Sequence, residues 1–311
     1  MKKSSPKQRQ ALTTSIILLI FLAITLITIH FLQRNRLHRN LAGIQKGLNA
    51  SFQYEIDETA LHLNTLLDFI VEDEDLQEAW DDRDRPELDE LGLDIFTQLK
   101  KRIPVTHLSF LETDGTYFFR VHNPDKYGDV LDRQSFKKAE KTQETAHGIE
   151  LEETGNFVLR IVRPWVIEGE LEGYIELGTS VKPIVDELSQ DLNLELFFVV
   201  DQDYLHQDRE EGRVIIDQTF NRIPARLRPL INKNTQSSKP PFILFSQGDL
   251  SHAVTAIPLK DGDGMRVGNI WFLKDVSADE KNLRTQKMII VGAFLLFTVV
   301  FFLFRFPRYS E

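Results

Sequence analysis

Two long apolar runs bracket the chain, and between them the hydrophobic period changes from that of helices to that of strands. Ala11 to Leu32 is apolar apart from Thr, Ser and one His, and Met288 to Phe304 is a second, shorter run. About 20 residues at 1.5 Å each match a hydrocarbon layer of roughly 30 Å, so both runs are predicted to cross a membrane as helices. After the first run, Leu37, Leu41, Ile44, Leu48, Phe52, Ile56, Leu63, Leu67 and Ile70 recur at steps of three, four or seven. That is one stripe of a long helix, and no proline interrupts it. The near-heptad spacing from Leu37 to Phe52 suits pairing with the same helix of a second copy, a homodimer, or packing on the chain's own domain. The acidic stretch Glu72-Asp73-Glu74-Asp75, continued by Asp81-Asp82-Arg83-Asp84-Arg85-Pro86, is expected to be a solvated loop. Leu88 to Lys100 is expected to be a short helix.

From Val105 the period becomes 2. His107 to Leu111 reads as a strand, Thr113-Asp114-Gly115-Thr116 as a tight hairpin turn, and Tyr117 to His122 as the returning strand. Ser135 to Thr145 looks helical. Gly155 opens a strand from Asn156 to Pro164; Trp165-Val166-Ile167, a Glu-Gly-Glu turn and Gly173 to Leu177 complete an antiparallel sheet. Arg160 and Val162 then share one face, with Leu159, Ile161 and Arg163 on the other. The rest of the chain repeats the plan. Glu195 to Tyr204 parallels His107 to Gly115, Ala253 to Pro258 parallels Leu159 to Pro164, and Gly268 to Phe272 parallels Gly173 to Leu177. Helical exits are expected at Val181 to Asp191 and Ser277 to Lys287. The fold class is therefore α+β, with two αβ modules in tandem behind a long N-terminal helix.

Composition narrows the function. A net charge of −10 argues against a nucleic-acid partner, and the absence of cysteine excludes disulfides and thiolate metal sites. The first apolar run is too long for a signal-peptide core and has no Ala-x-Ala cleavage pattern, so it reads as an uncleaved anchor. Lys2, Lys3, Lys7 and Arg9 precede it, and Arg305 and Arg308 follow the second run. Both ends are thus expected in the cytoplasm and residues of roughly 34–286 outside it. Arg34, Arg36, Arg39, Arg284 and Lys287, at the opposite boundaries, blunt that signal. The expected division is 1–10 cytoplasmic tail, 11–33 first span, 34–71 stalk helix, 72–190 first module, 191–286 second module, 287–304 second span and 305–311 tail.

The chemistry concentrates in Tyr117 to Asp129. By alternation, Phe118, Arg120 and His122 share a face, and Phe119 and Val121 the other. Asn123-Pro124 ends the strand, and Gly128-Asp129 forms a bend that can return a carboxylate to the same face. Arg, His and Asp aimed at one spot suit a pocket for a small anionic ligand; the alternative is a solvated strand face and an ordinary turn. Arg120 offers a planar fork for a carboxylate or phosphate, and Arg160 a second cation from a neighbouring strand. His122 supplies a hydrogen bond and a pH dependence. Asp129 either holds an amine or orients Arg120. Glu150, Tyr174 and Glu176 are further candidate lining, Glu176 being expected mainly in a surface ion pair. The second module carries neither the Arg-x-His strand nor the Gly-Asp turn. His107, His122, His147 and Asp129 match no standard metal-ligand spacing, so neither a metal nor a cofactor is expected. Asp261-Gly262-Asp263-Gly264 reads as a turn, and no hydrolase, Walker or Rossmann motif is present.

With these features in place, the chain resembles the double Cache extracytoplasmic sensors of bacteria. Phe119-Arg120-Val121-His122-x-Pro124 with Gly128-Asp129, Gly148-x-Glu150, Arg160 and Gly173-Tyr174-x-Glu176 is similar to the third double-Cache subgroup, over roughly residues 40–285. The resemblance implies a PAS-like sheet in each module and a ligand pocket in the membrane-distal one, here the first. It also implies a two-pass protein of the inner membrane with a periplasmic sensor. Output would pass to a histidine kinase, a cyclic-dinucleotide enzyme or a chemotaxis module. Only Arg305 to Glu311 follows the second span, so the chain is expected to be a fragment or to signal through a partner. A membrane-tethered interaction module without a small-molecule ligand is the competing expectation, and an extracytoplasmic hydrolase a remote third.

Overall fold

A computed structural model of the chain describes residues 6–152, 156–200, 229, 231, 242–248, 250–262 and 264–305. The elements run α1 (Pro6–Val71), α2 (Glu74–Asp81), α3 (Arg85–Lys100), β1 (Val105–Leu111), β2 (Tyr117–Arg120), α4 (Gln134–Thr142), β3 (Ala146–Leu151), β4 (Phe157–Ile167) and β5 (Glu170–Ser180). They continue as α5 (Lys182–Asp191), β6 (Glu195–Val200), β7 (Ile243–Gln247), β8 (Leu250–Lys260), β9 (Arg266–Asp275) and α6 (Ser277–Arg305). Contacts divide the chain into two units, one of residues 1–44, 242–254 and 274–311, the other of 45–241 and 255–273.

The second unit contains a five-stranded antiparallel sheet of order β2-β1-β5-β4-β3. One face is apolar: Leu108, Phe110, Phe119, Val121, Ile161, Trp165, Ile175 and Leu177 pack against Leu63, Leu67 and Ile70 of α1 and against α2 and α3. Burying each such side chain stabilises the fold by about 1.5–3 kcal/mol. Trp80 and Trp165 meet at the centre with ring centroids 5.3 Å apart. The opposite face is apolar at one end only, where Leu111, Tyr117, Val162 and Tyr174 receive Phe136 and Ala139 of α4. The four-stranded sheet has order β6-β9-β8-β7. Its expected strands form within longer ones, and β7 adds a strand that was not anticipated. Asp201 to Tyr204, the second module's counterpart of the Thr113-Asp114-Gly115 turn, and Gly155 lie outside the described residues, as do Lys2, Lys3 and Arg308.

In the first unit, Leu37 and Leu41 of α1 bury against Ala253 and Val276. This part of the stripe therefore packs within the chain, the second of the two uses its spacing allowed. Among the described residues, Leu12–Val71 and Ser277–Phe301 contain the two segments long and apolar enough to cross a membrane. The expected exit helix from Ser277 is not separate from the second apolar run, because α6 continues through both.

Three local expectations are corrected. The acidic run is not all loop: Asp73 accepts a hydrogen bond from the Leu76 amide (3.0 Å) and caps α2, which buries Leu76, Ala79 and Trp80 at helical spacing. β3 was not anticipated as a strand. β4 passes through Pro164, which pairs with Tyr174 of β5 but lies beyond Val162, the last residue paired with β3.

Candidate functional site

The site is built on the sheet face turned away from α1. Opposite β1, the register steps from Phe119↔Phe110 to Tyr117↔Leu111, which leaves Phe118 as a bulge. The bulge breaks the alternation read from sequence. Tyr117 joins Arg120 on the site face, and Phe118 turns to Trp80, with centroids 5.2 Å apart. Strand pairing carries the same face across the sheet, from Ser109 to Glu176 and from Glu176 to Val162. Arg160 stands two residues before Val162 on β4. It is not on a strand adjacent to β2, since β1 and β5 intervene.

After β2 the chain turns at Asn123, whose carbonyl accepts from the Lys126 amide (3.1 Å), and then folds back along the sheet edge. Gly128, at φ +82°, allows its own amide to reach the Tyr117 carbonyl (2.8 Å) while the Tyr117 amide donates to Asp129 (3.0 Å). This return delivers the Asp129 carboxylate to Arg120: Nη1 donates to Oδ1 and Nη2 to Oδ2, each at 2.7 Å. Arg120 also donates to the Lys126 carbonyl (2.6 Å) and lies 3.3 Å above the Tyr117 ring centroid. Of its two expected roles, Asp129 therefore takes that of orienting Arg120, and the outer edge of the fork is filled. Burial disfavours the Arg120 charge, but the Asp129 pair outweighs it and holds the guanidinium above its ordinary value.

Arg160 is the centre of the deeper cluster, at 2 % exposure. It donates to Glu176 at 2.5 Å and to Glu152 at 2.7 Å, with Glu150 at 3.5 Å from its Nε. Glu176 is not in a surface pair: its exposure is 0 %. Burial alone would raise its carboxyl, yet the Arg160 and Arg133 charges hold it below the usual range. Glu150 goes the other way, pushed up by burial, because its cations stand off at 3.5 and 3.6 Å. Its Oε1 instead accepts from the Ser135 amide (3.1 Å) and hydroxyl (2.5 Å), which pins the first turn of α4. Burial also opposes ionisation of Glu152, but the hydrogen bond from His107 Nε2 (2.7 Å) and the Arg160 and Arg133 charges bring it down to about 2. His122 sits beside His107, ring centroids 4.3 Å apart, with Nδ1 against the backbone of Leu108. Burial and the neighbouring His107 push it down to about 4.

Between these groups lies a cleft of about 280 Å³ lined by His107, Tyr117, Arg120, His122, Asn123, Lys126, Arg133, Glu152, Arg160 and Glu176. Of the candidates read from sequence, Arg120, His122, Arg160 and Glu176 line it. Asp129 and Glu150 stand behind, each holding a liner or its supporting helix. Tyr174 faces α4, stacking edge-on to Phe136 and accepting a hydrogen bond from Gln143 (3.1 Å), outside the lining. Arg133, Lys126, His107 and Glu152 were missed. His107 could have been found by its alternation with Ser109; Arg133 precedes α4 with no local pattern to mark it. Among the described residues, Arg133 Nη1, Arg160 Nε and Ser109 Oγ are buried with no hydrogen-bond partner. No group of three or more His, Asp or Glu suited to a metal occurs among the described residues.

Residues 42–279 match the family profile described as the double sensory domain of two-component sensor kinases. No curated protein sequence matches. Similar solved structures include the periplasmic domain of Vibrio cholerae LuxQ, at 15 % identity over 74 % of this chain and 99 % of that one, TM-score 0.45. The ligand-binding domain of the Pseudomonas aeruginosa amino-acid chemoreceptor PctB in complex with L-Gln is 16 % identical over 81 % and 97 % of the two chains, TM-score 0.44. The sensor domain of the Vibrio cholerae histidine kinase DctB is 15 % identical over 74 % and 98 %, TM-score 0.41.

Proposed function

Because this chain belongs to the double Cache family of sensory domains, not a family of enzymes, we propose that it is a two-pass receptor of a bacterial inner membrane, with a periplasmic sensor. In this reading the first αβ module binds a small anionic or zwitterionic molecule, of the carboxylate or amino-acid class, and occupancy reaches a signalling partner through the helices that enter the membrane. A histidine kinase, a cyclic-dinucleotide enzyme or a chemotaxis module would supply the output, to one chain or to a homodimer.

The observation that carries the reading is the cleft itself. Arg120, Lys126, Arg133 and Arg160 converge on it, and Arg133 Nη1 is buried with no hydrogen-bond partner among the described residues. An unmet buried donor is costly, and a ligand carboxylate would satisfy it with a charge-assisted bond. Glu152, on the same wall, suits the ammonium group of a zwitterion. Arg120 serves differently from the sequence expectation: clamped by Asp129, it holds the return loop that closes one side of the cleft. Occupancy shifts the receptor only by the ligand's differential affinity for its two states.

Thermal unfolding of the full chain in nanodiscs, against a panel of carboxylates, α-amino acids and inorganic phosphate, tests this. One class is expected to raise the midpoint with the logarithm of its concentration above Kd, by about 2.7 kcal/mol of stabilisation at one hundred times Kd. Arg133→Gln, with its fold checked by circular dichroism, is expected to abolish the shift. An unresponsive panel, or an equal shift in the variant, removes the cleft as the site and favours the tethered interaction module.

A further inference from the structure

The sequence places a second charged cluster where the function above has no use for it. Residues 33–40 and 279–287 carry six cations, Arg34, Arg36, Arg39, Lys281, Arg284 and Lys287, against two carboxylates, Asp279 and Glu280, in a chain whose net charge is −10. α1 and α6 bring the two segments together. Arg34 bonds Glu280 (2.8 Å), Gln33 donates to Gln286 (2.9 Å), and Lys287 lies 3.2 Å from His30 Nδ1. A polar crevice of about 200 Å³ remains between them, with Arg36 on its wall. Arg36, Arg39 and Arg284 are exposed.

Depth decides what this collar meets. The apolar surface ends at Leu32 on α1 and begins at Met288 on α6, 58 % and 67 % exposed. Arg36 and Arg284 each stand four residues beyond, roughly 6 Å along the helix axis. The headgroup layer is roughly 5–8 Å thick on each side of the hydrocarbon. Both guanidiniums therefore sit at phosphate level, and Arg39 reaches it by bending its stem towards the membrane. Arginine is suited to phosphate because its fork binds two oxygens at once. Only one of the six cations, Arg34, bonds either carboxylate of the two segments among the described residues, so the collar keeps a net positive face towards the bilayer.

We infer that this collar is a binding surface for the headgroups of anionic phospholipids, fixing the height at which the two helices leave the membrane. The inference rests on the reading that both apolar helices span a bilayer, and its test separates the two. The full chain is reconstituted into vesicles of phosphatidylcholine containing about one-third phosphatidylglycerol, and floated. Spin-labelled forms of each lipid then report relative association at the protein surface. The wild-type chain is expected to prefer phosphatidylglycerol several-fold. Arg36→Gln, Arg39→Gln and Arg284→Gln together bring the ratio to near parity, the three Arg→Lys changes retain most of it, and Lys2→Gln, Lys3→Gln and Lys7→Gln leave it in place. A floating chain with no preference, or an unchanged preference in the triple glutamine variant, overturns the inference alone. A chain that does not float overturns the spanning reading and this inference with it.

Discussion

Arg160→Met removes the hub of the polar cluster while keeping most of its volume, and its effect can be worked from the geometry. The guanidinium is 2 % exposed and bonds Glu176, itself at 0 %, at 2.5 Å. Without it, Glu176 keeps the Tyr117 hydroxyl at 3.3 Å, and Glu150 loses the cation at 3.5 Å. Leaving one half of a buried pair uncompensated costs about 3–5 kcal/mol, whereas replacing both halves by apolar groups is often neutral. The single variant is therefore expected to lose about 3–5 kcal/mol and the double variant Arg160→Met/Glu176→Leu to recover most of it, so that the coupling is at least as large as the stability recovered. Acid adds a sign. In the native chain the Glu176 carboxyl is held low, so its contribution is complete above the unfolded value near 4.5 and fades as pH falls through the folded one. In Arg160→Met the same carboxyl is raised, so acid relieves the variant while it weakens the native chain, and the gap narrows. Urea unfolding of the full chain in nanodiscs, followed by tryptophan fluorescence, reads this directly, since Trp80, Trp165 and Trp271 all lie in the second unit. A loss below about 1 kcal/mol, or a double variant as unstable as the two singles combined, refutes the reasoning.

Further outcomes follow from single contacts. Asp73→Ala removes the α2 cap and is expected to lower stability by about 1 kcal/mol in the same urea assay; no change would make the cap incidental. Gly148→Ala drives a methyl group into the backbone of Gly262 and is expected to cost about 1–3 kcal/mol, whereas Gly43→Ala, inside α1 and facing open space, is expected to stabilise by about 0.5–1 kcal/mol. His122 is neutral in the fold down to about pH 4, while an unfolded histidine takes a proton near 6.5. Native stability should therefore fall between those values, and His122→Gln should flatten the slope of midpoint against pH across that window.

The fold was legible wherever one period held over many residues. The stripe from Leu37 to Ile70 fixed α1, and Asp114-Gly115 fixed the hairpin, with Gly115 at φ +82°. It was lost where charge hid a short pattern: Leu76, Ala79 and Trp80 have helical spacing, but the acids around them read as loop. In the site, Arg120 and Asp129 were readable together because the Gly128 bend is local. The inner cluster was readable only in part: Arg160 and Glu176 were candidates, but Arg133 and Glu152 join them through the order of strands and the placement of α4, which no local spacing encodes. The Phe118 bulge shows the limit of strict alternation: one extra residue moved Tyr117 onto the face of the cleft. The stripe on α1 could not declare its partner either, and Leu37 and Leu41 found theirs within the chain.

The cleft's occupancy can be read from a single position. The chain has no cysteine, so Asn123→Cys places one fluorophore on the cleft wall, and Glu170→Cys places a control on the exposed β4–β5 turn. Titrating each labelled full chain with the ligand class that shifts the thermal midpoint should change emission at residue 123 saturably, over the same concentrations, with residue 170 unmoved. Flat emission at 123 while the thermal shift persists would put the ligand elsewhere and contradict the account.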